Sequence, residues 1–409
     1  MTSRANLIAR TVISQFNKLP SKRKPTLRGN GLHEWVPLSG IVAERNGDLI
    51  CLALATGMKC LPSAKLPESN GVGIHDWHAE VLAIRTFNRF LLDECQNVCE
   101  NAKSEVLSRN DPHDPLNVNS TSSKPFRVRD DVKLHMYCSE APCGDASMEL
   151  IMAAQEDASP WQFPDAQEES GVSSDSGTAL PGRAYFSQLG VVRRKPARGD
   201  APPTLSKSCS DKIALKQCTS LLSSLTSLFV DPSSAYIDTL ILPEPQYSAV
   251  ACQRAFSSTG RMNPLAGKQW AEGYAFRPFS IETTTVEFEH SKRSVQARAN
   301  KISASNIAAT WSHSGFDETI IGGVIQGRKP FDVRGASLIS RRHMWSKAKE
   351  LAGRLSYYPG IRQDLSSSSY QHVKDGLLLA ARRHVKAEVR ETALHGWVQN
   401  EGDSCFGIT

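Results

Sequence analysis

The sequence predicts an α/β fold, a mixed sheet with helices on its faces, in one large domain that carries insertions. Three observations predict it. Apolar runs of strand and helix periodicity alternate along the chain, no internal repeat of solenoid or propeller type is visible, and no linker cleanly divides the 409 residues. Hydrophobic residues make up 40% of the chain, which excludes wholesale disorder.

The elements follow in order. Leu7, Ile8, Val12, Ile13 and Phe16 lie at helical spacing before the breaker Leu19-Pro20, and a basic loop, Lys22-Arg23-Lys24-Pro25, comes next. Ile41-Val42-Ala43 and Leu49 to Leu54 flank Asn46-Gly47, the signature of a β-hairpin. A helix runs through Val81, Leu82, Ile84, Phe87 and Leu91. Val132 to Cys138 alternates as a strand, turns at Pro142, and leads into an apolar helix from Met148 to Ala154. A further helix opens at Cys209 and runs through Ile213, Leu215, Leu221 and Leu222. The later part supplies strands at Ala235 to Leu242 and Ile281 to Phe288, then helices near Leu338 to Leu355 and Tyr370 to Leu394. Asn101 to Asp130 and Gln155 to Arg183 read as mobile surface insertions, the second rich in Ser, Gly, Pro and acids.

Lys+Arg 48 against Asp+Glu 42 leaves +6, which permits a polyanionic partner without demanding one. No run approaches a membrane span and the first residues lack a secretory h-region, so an intracellular protein of nucleus or cytoplasm is expected. Ten cysteines are too sparse for a disulfide scaffold. Cys51, Cys60, Cys138 and Cys218 read as core thiols, and the Cys95/Cys99 spacing has no matching pair elsewhere.

Three segments carry chemistry. His78-Ala79-Glu80 precedes a helix with Asp76 as N-cap, Pro142-Cys143-Gly144-Asp145 precedes a second, and Ser208-Cys209-Ser210-Asp211 opens a third. A helix N-terminus favours the thiolate, and one imidazole with two thiolates suits a zinc that keeps an open fourth position. Glu80, two residues from His78, can act as general acid/base beside such a metal. Alone, His-Ala-Glu reads as a solvated helix start and Pro-Cys-Gly as a turn with a buried thiol. Together and in this order they approach the His-x-Glu and Pro-Cys-x-x-Cys signature of zinc nucleobase deaminases, except that position 146 is Ala and the second cysteine lies at 209.

Gly57-Met58-Lys59-Cys60, His75-Asp76-Trp77-His78-Ala79-Glu80-Val81, Ser139-Glu140-Ala141-Pro142-Cys143-Gly144-Asp145 and Ser208-Cys209-Ser210-Asp211-Lys212 together resemble the adenosine deaminases acting on RNA, in which the second cysteine is remote. The resemblance runs from the first helix to Trp397. It implies a cytidine-deaminase-like mixed sheet, zinc held by His78, Cys143 and Cys209, and Glu80 as proton shuttle. It further implies a buried, structural inositol hexakisphosphate contacted by Arg85, Lys212, Ser224, Arg341, Tyr370, Lys374, Lys386, Trp397 and Asp403, with Arg382 able to share the role of Lys386. Ile84, Leu215, Lys216 and Gln399-Asn400 depart from the pattern of the animal RNA editors. On an ideal helix Lys374 would sit mid-stripe among Tyr370, Leu377, Ala381 and Val385, where a lysine must snorkel, neutralise or meet an anion.

The chain has no room for the RNA-binding modules that precede the catalytic domain in double-stranded RNA editors. The resemblance therefore implies zinc-dependent conversion of adenosine to inosine in tRNA, at the adenosine just 3′ of the anticodon of alanine tRNA. The rival readings are editing of other structured RNA and a non-catalytic zinc and inositol-phosphate protein that binds RNA. Three basic clusters, Lys22 to Lys24, Arg193-Arg194-Lys195 with Arg198, and Lys292-Arg293 with Arg298 and Lys301, read equally as solvated charge or RNA phosphate contacts.

Overall fold

The computed structural model describes residues 3–110, 124–155, 180–181, 186–195 and 201–408. Its centre is an eight-stranded mixed sheet. The strands are β1 (Leu38–Arg45), β2 (Asp48–Thr56), β3 (Val132–Cys138), β4 (Thr239–Pro243), β5 (Ser280–Thr284), β6 (Ala308–Ser312), β7 (Phe316–Ile321) and β8 (Val324–Ile325). Their spatial order is β5-β4-β3-β1-β2-β6-β7-β8; β5, β4 and β3 are parallel and every other neighbour pair is antiparallel. The hairpin β1–β2 turns at Asn46-Gly47, both with positive φ. Between the pairs Ile41–Ala53 and Val42–Cys51 the register slips by one, leaving Leu52 as the extra residue of a bulge.

The two faces are covered by different elements. Helix α1 (Arg4–Asn17) lays Ile8, Val12 and Phe16 on Val42, Leu54, Tyr137 and Ile241. On the other face α2 (Ala79–Cys99) packs Phe87, Phe90 and Leu91 on Ile41, Ala43, Leu52 and Ala53, backed by α3 (Cys209–Thr219), α4 (Arg341–Gly353) and α5 (Ala380–Thr392). The sheet is thus covered on both sides, and the middle stretches of its central strands, such as Ile41–Ala43 and Leu52–Ala55, are apolar on both faces. No helix among the described residues is long and apolar enough to cross a membrane.

Several expectations change. The stretch 235–242 forms strand only from Thr239, and 281–288 ends as strand at Thr284. The helix of Cys209 stops at Thr219, where Ser220 takes φ +54. The continuous helix 370–394 is broken at Gly376 into Tyr370–Asp375, a tight turn Leu377–Leu379, and α5. Gly376 is extended, and a β-carbon there would meet Asp364 Oδ2 at 2.4 Å. The ideal-helix placement of Lys374 therefore fails: Leu377 is 85% exposed, while Leu379 takes the buried place. The first expected insertion is anchored at its base, where Leu107–Arg109 pairs with Phe126–Val128 and Val106, Leu107, Phe126 and Val128 join the main core. Residues 111–123, Arg198 and nearly all of 155–183 lie outside the described residues.

Candidate active site and the cationic cavity beside it

Beyond β2 the chain forms a two-strand ladder, Met58–Cys60 against Asp76–His78, which delivers His78 to the start of α2. His78 itself is the N-cap residue, in extended conformation. Asp76 does not cap the helix, contrary to expectation. One of its oxygens accepts from the His78 backbone N–H at 3.0 Å and lies 2.9 Å from His78 Nδ1. The other takes Lys195 Nζ at 2.8 Å and also Lys212 Nζ.

Glu80, in the first turn of α2, is 6% exposed. Burial, then the neighbouring Cys143, pushes its carboxyl above the usual carboxylate range.

Cys143 and Cys209 meet despite the separation of 66 residues. Gly144 follows Cys143 with φ +103, and a β-carbon there would lie 2.2 Å from Ser208 Oγ, so only glycine lets the two loops touch. Ser208 caps α3 by accepting from Asp211 N–H at 3.1 Å. Ser210 ties the loops together, its N–H donating to the Cys143 carbonyl at 3.0 Å and its hydroxyl to that of Pro142 at 2.9 Å. The segment after Cys143 is a tight turn, Asp145–Ser147, and then the short helix Met148–Ala153. The Cys209 N–H points at Cys143 Sγ, 3.3 Å away. A hydrogen bond from the Cys209 thiol outweighs burial and holds Cys143 well below the ordinary thiol value, while burial and the neighbouring thiolate push Cys209 up.

Two nearby groups were not legible as site residues. Cys60 is no core thiol: it is half-buried with Sγ 3.7 Å from His78 Nδ1, and Cys60, Asp76 and His78 hold their donor atoms within 4.8 Å of one another. Both Asp76 oxygens are already engaged, by His78 and by Lys195. Among the described residues the expected trio of His78, Cys143 and Cys209 is not a group with donor atoms that close, although by donor chemistry one imidazole with two thiols is the softer set and the one that suits zinc. Lys195 is 5% exposed and Arg193 2%, so these two members of the basic cluster do not face RNA, while Arg194 is half-buried. Lys195 Nζ lies 3.2 Å from Cys209 Sγ. Neither residue has a sequence neighbour that betrays this burial.

Cys209, Lys195, Asp76 and Lys212 form a hydrogen-bonded chain leading away from the site. It ends at a cavity of about 240 Å³ lined among others by Arg85, Lys212, Lys216, Arg341, Tyr370 and Trp397. Ile84 and Leu215 also line it, as does Ser223, the neighbour of the expected Ser224. Further cations crowd behind. Burial, then Arg382, Arg390, Lys216 and Lys374, drives the Lys386 ammonium well below its usual value; burial and Arg382 do the same to Lys216. Burial, then Arg341, lowers Arg85 to about 10. Among the described residues no carboxylate lies within ion-pair distance of Lys216, Lys374, Lys386, Arg382 or Arg390, and the Nε atoms of Arg382 and Arg390 are buried without a partner. Arg382 spends its other nitrogens on the Thr219 and Leu222 carbonyls at 2.7 and 2.6 Å.

Asp403 is committed elsewhere. It accepts from Gly71 N–H at 2.6 Å, faces His75 Nε2 at 2.6 Å and lies 3.4 Å from Arg341. Trp397 stands between Lys207 and Arg390, 5.4 and 5.3 Å from its ring, and Tyr370 stacks on Phe406 beneath Arg341 and Lys374. So many uncompensated cations around one cavity fit a polyanion, which would remove a cost of several kcal/mol per buried ion.

Comparison with known proteins places these features in context. The adenosine-deaminase (editase) domain family matches residues 53–401. The tRNA-specific adenosine deaminase 1 of Schizosaccharomyces pombe is 33% identical over 403 residues, covering 97% of this chain and 95% of that protein. Its namesake in Saccharomyces cerevisiae is 35% identical over 58% of each chain. The double-stranded RNA-specific editase Adar of Drosophila melanogaster is 26% identical over 64% of this chain and 37% of its own length.

Proposed function

The chain belongs to the adenosine-deaminase (editase) family, and we propose from that premise that it converts adenosine to inosine in tRNA, at the adenosine just 3′ of the anticodon of alanine tRNA. The observation that carries the chemistry is Glu80, a buried carboxyl with a raised pKa set against His78 and Cys143. The tRNA assignment is supported by relatives named for that substrate.

His78, Cys143 and Cys209 would hold zinc, which supplies Lewis-acid activation of the attacking water. Glu80 takes a proton from that water as oxygen adds to C6 of adenine, gives it to N1, and then helps transfer a proton to the departing amino group. Water is consumed, ammonia leaves and inosine remains. The ammonium of Lys195 beside Cys209 stabilises negative charge on the paired thiols, and Asp76 orients both Lys195 and His78. In the adjoining cavity Lys212, Lys216, Arg85 and Arg341 would hold inositol hexakisphosphate as a structural cofactor, with Lys374 and Lys386, which do not line the cavity, adding charge from farther off.

The experiment is incubation of purified protein with transcribed alanine tRNA, a long perfect RNA duplex and free adenosine, with inosine read by sequencing or chromatography. The reading expects product from the tRNA alone, because an anticodon-loop base flips at little cost. It also expects Glu80→Gln to keep metal and fold while losing product. Preference for the duplex would replace tRNA with other structured RNA.

A further inference from the structure

Two of the basic clusters, one near the start of the sequence and one near residue 300, come together beside the site. The segment 288–306 borders the site at both of its ends. At one end the Lys292 backbone N–H donates to Glu140 Oε1 at 2.9 Å, three residues before Cys143. At the other, Asn306 Oδ1 accepts from Lys59 Nζ, and Lys59 pairs with Trp77 in the ladder that delivers His78.

The loop that carries Lys24 is zipped to the outer edge of this segment. His33–Trp35 runs parallel to Ile302–Ala304, while Val36 N–H donates to the His290 carbonyl at 2.9 Å and His33 N–H to that of Lys301 at 3.0 Å. Lys24 stands 5.7 Å over the Phe16 ring, itself 5.8 Å from His290, and Lys292 stands 5.9 Å over Trp35. Burial, then Arg298 and Lys24, lowers the His290 imidazole against the pull of Glu289, as expected when both cations crowd one spot.

The acids of this face are mostly spent. Glu287 pairs with Arg293 at 3.3 Å and Glu34 with Arg28 at 2.7 Å, while Glu289 faces His290 at 3.1 Å. Lys292, Arg298 and Lys301 are exposed and Lys24 is half-buried. Among the described residues none of the four charged groups forms an ion pair within 4 Å, although Lys292 donates its backbone N–H to the Glu140 carboxylate and Lys24 its ammonium to the Asn17 carbonyl. Together they form a cluster of positive charge, without ion-pair partners, on the segment that borders the site and on the loop zipped to it, with Trp35 beneath Lys292.

We propose that Lys24, Lys292, Arg298 and Lys301 form a phosphate track that grips the backbone of the substrate RNA while its target loop enters the site. The track rests on tRNA as substrate and adds where that RNA lies. Such contacts release counterions and position the RNA without reading its sequence. The track would therefore tighten any RNA, with the choice of base left to the pocket around Glu80.

The test uses the full chain and the triple variant Lys24→Ala/Arg298→Ala/Lys301→Ala, with Lys349→Ala, an exposed cation on α4, as control. KM for the tRNA transcript should rise about tenfold at 0.15 M salt, with kcat at saturating RNA held within about twofold. The plot of log KM against log salt should flatten by about 0.7–0.9 for each phosphate no longer neutralised. Zinc content and melting temperature should match wild type, and if the triple variant is unstable, Arg298→Ala and Lys301→Ala singly should each show a rise of about two- to threefold. A parallel titration of a synthetic RNA hairpin should lose affinity with the same salt signature. Wild-type KM and salt slope in the triple variant overturn the track even if tRNA is deaminated. Wild-type enzyme that binds the hairpin through these residues yet leaves tRNA unmodified overturns the substrate reading instead.

Discussion

Replacing Gly144 by Ala should uncouple the two cysteines. The residue sits at φ +103 and ψ −142, a region essentially confined to glycine, where a side chain costs about 1–3 kcal/mol. The added β-carbon would also lie 2.2 Å from Ser208 Oγ and 2.4 Å from Ser208 Cβ, and since Ser208 is fixed as the cap of α3 the loops must part, an overpacking cost of about 1–3 kcal/mol more. The sum is about 2–6 kcal/mol. An unfolding entropy of about 2.1 cal/mol/K per residue converts this, for 409 residues, to a fall in Tm of about 2–7 °C. The local effect is the sharper one, because relief of the overlap moves Cys143 away from the Cys209 N–H, and zinc should be lost disproportionately. Calorimetry gives the first number and metal analysis the second. A second substitution, Ser208→Gly, removes the obstructing atoms and should restore part of the metal content although φ strain remains. A Gly144→Ala protein with wild-type Tm, zinc and inosine formation would refute the argument that contact between these loops builds the site.

Three further outcomes follow from the geometry. Cys209→Ser should abolish most zinc binding and Cys60→Ser should not; metal analysis giving the reverse would transfer the third ligand to Cys60. Lys386→Met should alter solubility and release of an inositol polyphosphate on acid denaturation, seen by mass spectrometry, and well-folded active wild-type enzyme releasing none would remove the polyanion from the cavity. Burial, then Arg341, lowers His75 to about 4 from an ordinary 6.5, so the unfolded chain binds its proton first. The resulting stability, roughly 3 kcal/mol, is present above pH 6.5 and lost as pH falls toward 4. His75→Gln should flatten the dependence of Tm on pH across that window, and an unchanged slope would show that His75 titrates normally.

How much was legible follows from the range of each interaction. The hairpin at Asn46-Gly47, the strand Val132–Cys138 and the helix of Val81 and Leu91 were readable because local turn chemistry and periodicity decide them. The contact of Cys143 with Cys209 was legible only through an ordered motif, since nothing local links the two. Lys195 and Cys60 were misplaced for the same reason: a lysine in a basic run looks solvated, and its burial is dictated by Asp76, which lies 119 residues away. Lys374 shows the opposite failure, a periodic argument carried across Gly376 into a turn that resets the phase.

The clamp between His75 and Asp403 has a consequence for biosynthesis. Its two halves are 328 residues apart, and His75 adjoins the strand that carries His78. At about 5–20 residues per second a ribosome needs about 16–66 s to pass from one to the other. From the synthesis of Cys209 onward the nascent chain carries both of the site's paired thiols without the carboxylate that seats His75. The last step of assembly is then the docking of the segment around Asp403, timed by translation rather than by local folding, and a stalled ribosome would leave a sheet already formed around an open, inactive centre.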